Sequence, residues 1–484
     1  MSVQDKNKVL TAKGYAIKKT FLNDLQTNEL RKQLTMAPKV LDKFQKCISN
    51  FPIYYESKTR FYVPRHWGIK KYGEPEADIV PEGISLPPEI TLNSKFPPHD
   101  FQKDIIQSFI EKGANGLICV PCGYGKTFMA LNIAVTLGKR FLIVVDKEFL
   151  MNQWKSEIEN FIIGARVGIL QGNKIQMDAT MYDVTICMIQ TICRREFPDG
   201  FFDQYGFTIF DECHHLGASY FCKALLKIQT KYMLGLSATP DRDDGLTCVF
   251  EYYLGDPVYK NTQRAPDKEA VVKAIWFHSE DPVYSEEPVN WRGETVTAKL
   301  LNQVADFEPR NQKILQILDE YAEDPNRFIL ILSDRISQLE WFEKALDNHP
   351  AKYVHGYYIG GMKQSKLDEN AEKCQILLAT YQMASEAFSV KKLNTVILAT
   401  PRKNVQQSTG RIFRQRIEER KVAPHIIDII DSHDCHKRRW FVRNRFYKEC
   451  EYTIQHLGKP KKGKIIEDID DEKKEEEKEF MFKF

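Results

Sequence analysis

Short, largely apolar runs punctuate this chain: GLICV (116–120), FLIVV (141–145), VTICM (184–188), FTIFD (207–211) and YMLGLS (232–237). A strand covered on one face alternates apolar and polar residues. A run apolar at nearly every position needs cover on both faces. Between the runs lie segments of helical spacing, such as KTFMALNIAVTLG and KEFLMNQWKSEIENF. This alternation predicts a parallel sheet with helices on both sides. A second series follows: FILIL (328–332), QILLAT (375–380), NTVILAT (394–400) and PHIIDII (424–430). Two α/β units are therefore expected, at 91–257 and 313–456, with 258–312 as a polar linker or insertion.

Residues 1–90 have another texture. IYYESKTRFYVPRHWG suggests a hairpin beside helices, and so a small N-terminal α+β accessory domain. Residues 457–484 read as a charged, disordered tail. The 484 residues allow roughly two to four domains, and no solenoid-type repeat is visible. Apolar residues make up 43%, enough for sizeable cores. No apolar run is long enough to span a membrane, and the N-terminus lacks a signal-peptide core, so a soluble intracellular protein without a membrane partner is expected. Eleven scattered cysteines suit a reducing compartment. The single C-x-x-C, Cys119 to Cys122, has no second pair to complete a metal site. The net charge of +3 is uneven: residues 1–72 hold fifteen Lys/Arg against five Asp/Glu. That basic head fits either a polyanionic partner or a solvated face.

Between the first strand and its helix lies VPCGYGKT. The generic phosphate loop is G-x-x-x-x-G-K-[ST], and Val120 stands where the first glycine belongs. The context nevertheless fits. Gly123 and Gly125 can turn backbone N–H groups towards an anion, with Pro121, Cys122 and Tyr124 completing the loop. The helix that follows adds its positive end. Lys126 would reach the β- and γ-phosphates of ATP, and Thr127 would hold Mg²⁺. Asp211 and Glu212 end a later strand, whose tip a parallel sheet brings to the same edge. Asp211 suits Mg²⁺, and Glu212 suits activation of the attacking water. In QQSTGRIFR, spacings of four and three residues place Gln407, Arg411 and Arg414 along one face of an expected helix. Guanidinium groups suit a transferring phosphoryl group.

In order and spacing these motifs resemble superfamily 2 helicases of the DExH type, over about residues 95–430. PCGYGKT resembles motif I, DECHH motif II, SATP (237–240) motif III and QQSTGRIFR motif VI. IVVDKEFLMNQW resembles motif Ia, and ILLATYQMASEAFSV motif V. The resemblance implies two tandem RecA-like domains with ATP between them, and Gln102 as the adenine reader. The loop, and Arg242-Asp243-Asp244 after motif III, are similar to the branch with the repair translocase XPB, the phage helicase UvsW and the poxvirus transcript-release helicase; a large-DNA-virus member is expected. Ala387 and Ser389 depart from the glycine and aspartate usual in motif V.

The resemblance implies an ATP-dependent DNA helicase, with contacts mostly to phosphates because sequence must not matter. Lys147, Gln153, Gln190, Thr191, Thr380 and Gln382 are the candidates. The N-terminal mixture of Tyr54, Tyr55, Arg60, Phe61, Tyr62, Arg65, His66 and Trp67 reads either as a nucleic-acid surface or as the core and rim of a small module. Alternatives are a duplex translocase without strand separation, an RNA helicase and a non-motor NTPase switch. Transcription, recombination or repair proteins are the partners this branch implies, in the cytoplasm at a viral factory, in the nucleus, or packaged in a virion. His433, Cys435 and His436 match no common zinc spacing, and KPKKGK (459–464) is a short lysine cluster.

Overall fold

The computed structural model describes residues 5–39, 50–121, 123–242, 244–261, 266–386, 390–413, 415 and 419–459. The chain divides into two compact units, Met1–Arg264 and Ala265–Phe484.

The first unit is built on an eight-stranded sheet. Its order is Lys174–Ile175, Val167–Gln171, Val184–Met188, Phe141–Val145, Phe207–Phe210, Tyr232–Ser237, Asn115–Cys119 and Pro257–Lys260. Every pairing is parallel except that of Lys174–Ile175 at one edge. The apolar runs are buried on both faces, as their composition requires. Ile118, Ile143, Ile186, Ile209 and Leu234 point to one core, with Met129 and Ile133 of helix Lys126–Leu137 and Trp154 of helix Glu148–Phe161. Their alternates Leu117, Cys119, Leu142, Val144 and Met233 face the opposite core.

That opposite core also contains Tyr15, Ile17, Ile53, Phe61 and Trp67. Residues 1–90 thus carry a five-stranded sheet of their own, yet share a core with the large sheet. The expected hairpin is Tyr55–Glu56 against Arg60–Val63, followed by helix Arg65–Tyr72. Arg65 is 3% exposed and donates to Thr230 O (2.7 Å), Lys231 O (2.9 Å) and Asn115 Oδ1 (3.2 Å). It fastens the N-terminal segment to the start of two large-sheet strands. Arg65, Phe61 and Trp67 therefore cannot form a nucleic-acid surface, whereas Tyr55 and Lys70 remain exposed.

The second unit is a seven-stranded, wholly parallel sheet: His355–Tyr358, Ile376–Thr380, Ile329–Ser333, Thr395–Leu398, His425–Asp431, Val271–Phe277 and Thr453–Leu457. The reading of 258–312 as a linker is corrected here. Pro257–Lys260 closes the edge of the first sheet, and Val271–Phe277 pairs on both sides within the second. Helices Thr297–Asp306 and Glu308–Ala322 also belong to this unit. The strand escaped notice because Lys273 interrupts its apolar pattern; its ammonium lies 4.8 Å from the Tyr321 ring centroid. The charged tail beyond Lys459 lies outside the described residues.

Candidate functional site

The strand Asn115–Cys119 runs into a loop whose two glycines adopt left-handed conformations, Gly123 at φ 91° and Gly125 at φ 80°. Both conformations are easy for glycine and strained for other residues. Gly125 caps helix Lys126–Leu137, and its carbonyl accepts from Met129 N (2.9 Å). Gly125 is also held by contact, because a Cβ there would lie 2.5 Å from Gln102 Nε2. Val120 does not need to be glycine. It is buried and its N–H donates to Ser237 O (3.2 Å), which makes it a continuation of the sheet rather than part of the turn. Pro121 is buried and accepts from Tyr124 N (3.4 Å). Cys122 lies outside the described residues.

Gln102 is placed beside this loop as a brace. Its Oε1 accepts from His99 N (3.0 Å), closing the start of its own helix, and its Nε2 donates to Tyr124 O (3.1 Å).

The strand Phe207–Phe210 delivers Asp211 and Glu212 to the same sheet edge as the loop, with Tyr232–Ser237 lying between the two strands. Glu212 sits at φ 42°, ψ 51°, a conformation uncommon for a non-glycine residue. Such backbone strain is concentrated at working sites. Glu212 Oε1 accepts from Lys126 Nζ at 3.3 Å, and both side chains are largely buried. Burial would lift the Glu212 carboxyl, but the Lys126 ammonium outweighs it and holds the group below the usual glutamate range. Asp211 is pushed upward by burial and by the Glu212 charge. Its Oδ2 accepts from Trp154 Nε1 (2.8 Å) and its Oδ1 from Glu212 N (3.0 Å). Trp154 fixes this carboxylate, a role that nothing in the sequence announced.

The residues fit a bound divalent cation. Two adjacent, largely buried carboxylates lie beside one ammonium, and Glu212 Oε2, 3.4 Å from His214 Nδ1, makes no hydrogen bond. Thr127, half-buried at the first helical turn, and Asp211 would hold Mg²⁺.

The acids are wired to neighbouring motifs. His214 Nδ1 lies 3.0 Å from Ser237 Oγ, which accepts from Thr239 N (3.1 Å). Burial pushes His214 down to about 4, so its ring is neutral at pH 7. Arg242 donates to His214 O and pairs with Asp244 (Nε to Oδ1, 2.9 Å). His215 Nε2 lies 3.8 Å from Asp146 Oδ2, while Gln190 donates to Asp146 O (2.6 Å). Lys147 is half-buried, and burial lowers its ammonium. Gln153 is half-buried and Gln382 exposed. Thr380 Oγ1 accepts from Met383 N (3.4 Å). Thr191 is 6% exposed and accepts from Gly172 N (2.9 Å), so it supports the fold and is removed from the nucleic-acid contacts.

In the second unit Gln407 and Arg411, the two described residues of the expected helical face, do not share one α-helix. Gln406–Thr409 is a single α-turn, and Gly410–Phe413 is a 3₁₀ turn. At three residues per turn, a four-residue spacing no longer aligns. Gln407 is half-buried; Arg411 is buried and its Nε donates to Ala384 O, tying motif VI to the motif V segment. Arg414, Ala387 and Ser389 lie outside the described residues. Sequence reading also missed Trp291. It is 86% exposed on a turn fixed by Asn290 Oδ1, which accepts from Arg292 N (2.9 Å) and Glu294 N (3.1 Å). The Arg292 guanidinium lies 4.3 Å from its ring centroid.

Residues 95–242 match the family model "Type III restriction enzyme, res subunit". The chain is 32% identical over 460 residues, 92% of this chain and 86% of the relative, to "Putative ATP-dependent RNA helicase L396" of Acanthamoeba polyphaga mimivirus. It belongs to the superfamily 2 helicases of large DNA viruses. The helicase is also 27% identical to "Putative ATP-dependent RNA helicase QP509L" of African swine fever virus (strain Badajoz 1971 Vero-adapted), over 77% of this chain and 76% of the relative. To "Putative helicase 161L" of Invertebrate iridescent virus 6 it is 28% identical, over 70% and 77%. The helicase is an ATP-hydrolysing enzyme with two RecA-like units, and it acts on nucleic acid. No helix among its described residues is long and apolar enough to cross a membrane.

Proposed function

We propose that the helicase couples ATP hydrolysis to movement along DNA and separation of its strands. The observation that carries this reading is the Lys126–Glu212 pair, 3.3 Å apart at one sheet edge, with Asp211 beside it. Lys126 holds the β- and γ-phosphates against the loop N–H groups. Glu212, kept ionised by Lys126, orients the attacking water and accepts its proton. Mg²⁺, when bound, neutralises charge on the phosphate oxygens, with Thr127 and Asp211 as its protein ligands. Gln102 keeps the loop in shape and reads adenine. Gln407, Arg411 and Arg414 serve the transferring phosphoryl group. The His214–Ser237 contact passes the state of the acids to motif III, and the Asp146 contacts pass it to Lys147 and Gln190.

RNA is the second reading for the track, favoured by the words "RNA helicase" in the names of the mimivirus and African swine fever virus relatives. Steady-state ATP hydrolysis with duplex DNA, single-stranded DNA and single-stranded RNA separates the two. Stimulation by DNA above RNA is the expected result. RNA as the stronger activator would replace DNA as the track, and equal low turnover with all polymers would leave an NTPase switch. Strand displacement then distinguishes unwinding from translocation on duplex.

Trp291 and Arg292 offer an exposed ring and cation on a fixed turn, the pairing that stacks on unpaired bases. Trp291→Ala is expected to weaken single-strand binding by about 1–3 kcal/mol with an unchanged thermal midpoint. Fluorescence anisotropy checks this, and unaltered affinity would remove Trp291 from the track.

A further inference from the structure

Helix Asp434–Glu449 of the second unit has two faces of opposite kind. Trp440, Arg443 and Tyr447, three or four residues apart, are buried. Arg443 fixes that face to the sheet: its Nε donates to Asp428 Oδ2 and its Nη2 to Asp428 Oδ1, both at 2.8 Å. Tyr447 OH donates to the same carboxylate (2.9 Å). The rotation of the helix is therefore set, and Arg438, Phe441, Val442, Arg445 and Lys448 stand outward at helical spacing. All five are exposed, Phe441 by 51% and Val442 by 38%. Arg438, Arg445 and Lys448 form no ion pair among the described residues. Asp434 and Glu449 stand at the two ends of this face, Asp434 paired with Lys437 (3.2 Å). The middle of the face thus presents three cations around an apolar pair.

The chain beyond Lys459 carries the complement. Residues 467–479 hold nine Asp/Glu against three Lys, and FMFKF (480–484) follows. An acidic run joined to aromatic and methionine side chains matches cations set around Phe441 and Val442. Position agrees with composition. Strand Thr453–Leu457 forms the edge of its sheet, and its His456 ring lies 5.9 Å from that of Trp440, centroid to centroid. The chain therefore leaves the sheet beside this helix. The helix is about 24 Å long at its 16 residues, and the eight residues 459–466 reach about 26–29 Å when extended. The four lysines of 459–464 share the sign of the stripe and suit a spacer. Exposed ion pairs are individually weak. A tether, however, makes docking intramolecular, at an effective concentration in the millimolar range. We propose that residues 467–484 fold back onto the outward face of helix Asp434–Glu449. Their acids meet Arg438, Arg445 and Lys448, and their aromatic side chains meet Phe441 and Val442. A nucleic-acid strand would use the cations but has no use for Val442, because bases stack on ring faces. The docked segment withholds this basic face from polyanions, and the assignment stands independently of the choice of track.

Carbodiimide cross-linking of the full chain tests the proposal, because it joins an amine to a carboxylate in contact with it, and Lys448 supplies the amine of the stripe. Mass spectrometry on an equal mixture of isotope-labelled and unlabelled chains maps the links and shows whether they join one copy or two. A link from Lys448 to residues 467–479 within one copy is expected. It should be at least fivefold more abundant than links from that segment to Lys366, which is exposed on a helix beside the opposite edge of the sheet. Combining Arg438→Glu, Phe441→Ser and Arg445→Glu should lower the Lys448 link at least fivefold and hold the thermal midpoint, since none of the three side chains is buried. Phe480→Ser with Phe482→Ser leaves the helix unaltered and should lower the same link several-fold. Links that join only separate copies would give the face to a second copy and overturn the assignment. Links equally abundant at Lys366, or unchanged in both variants, would overturn it too. Fluorescence anisotropy with single-stranded DNA and RNA octamers examines the remaining occupant. A chain ending at Lys464 is expected to bind them several-fold more tightly, a gain that the triple substitution removes. Affinity unchanged by the truncation would count against the docked segment, and a fall in the triple variant would then give the face to nucleic acid.

Discussion

Glu212→Gln is expected to lower steady-state ATP hydrolysis by about 10²- to 10⁴-fold, the range that a positioned general base contributes, while ATP still binds. The substitution keeps the shape of the side chain and its place beside Lys126 at 3.3 Å, but removes the proton acceptor. The substitution relieves Asp211 of the Glu212 charge but takes the charged partner from the largely buried Lys126. The two effects oppose each other, so the thermal midpoint should move far less than the turnover. A binding titration with a fluorescent ATP analogue, run beside the hydrolysis assay, separates chemistry from affinity. Turnover within tenfold of the parent would take the role of base away from Glu212 and leave it as a structural partner of Lys126.

The largest loss of stability is expected from Arg310→Met. Arg310 and Asp431 are both fully buried in the second unit, joined by Nε to Oδ1 (2.6 Å) and Nη2 to Oδ2 (3.0 Å). Arg310 also donates to Ala399 O (2.7 Å), and Tyr284 OH to Asp431 Oδ1 (3.0 Å). Removing one partner strands a charge in the core and costs about 3–5 kcal/mol. Denaturant unfolding should show this in the second unit's transition. Adding Asp431→Asn to Arg310→Met should recover part of the loss, because the stranded charge goes with it. The pair also sets an acid dependence. Burial opposes ionisation of Asp431, but Arg310 outweighs it and holds the carboxyl below the usual aspartate range. Its contribution is thus present above the unfolded-state value and lost as pH falls through the lower folded-state value. Arg310→Met should abolish that component of the acid transition. A variant as stable as the parent would mean that the pair merely breaks even with packing.

Much of this molecule was legible because its strands are buried on both faces. FLIVV, VTICM and YMLGLS are strands at their sequence limits, since a run so apolar has few alternatives. The phosphate loop and the acids were legible because their chemistry restricts residue types at fixed spacings. What escaped depended on distant partners. Arg65 read either as a nucleic-acid contact or as part of a small module's core and rim, and the carbonyls of Thr230 and Lys231, more than 160 residues away, decide for the core. Val271–Phe277 pairs on both sides, yet buried Val272, Ala274 and Ile275 alternate with half-buried positions that include Lys273, so its apolar pattern is weak. The spacing of Gln407 and Arg411 had suggested one α-helix, but the chain tightens from an α-turn into a 3₁₀ turn at Gly410.

Both large sheets share one habit of connection. In the first unit, Asn115–Cys119 lies between Tyr232–Ser237 and Pro257–Lys260; in the second, Val271–Phe277 lies between His425–Asp431 and Thr453–Leu457. Each early strand is flanked by the two that come last in its unit. On the ribosome, that strand emerges with both its edges open and waits for more than a hundred residues of synthesis before either is paired. Pairings of such sequence separation form slowly and leave intermediates open to aggregation. The strand that ends in the phosphate loop is therefore among the last to be locked into its sheet, so ATP-binding competence should mark completion of the first unit.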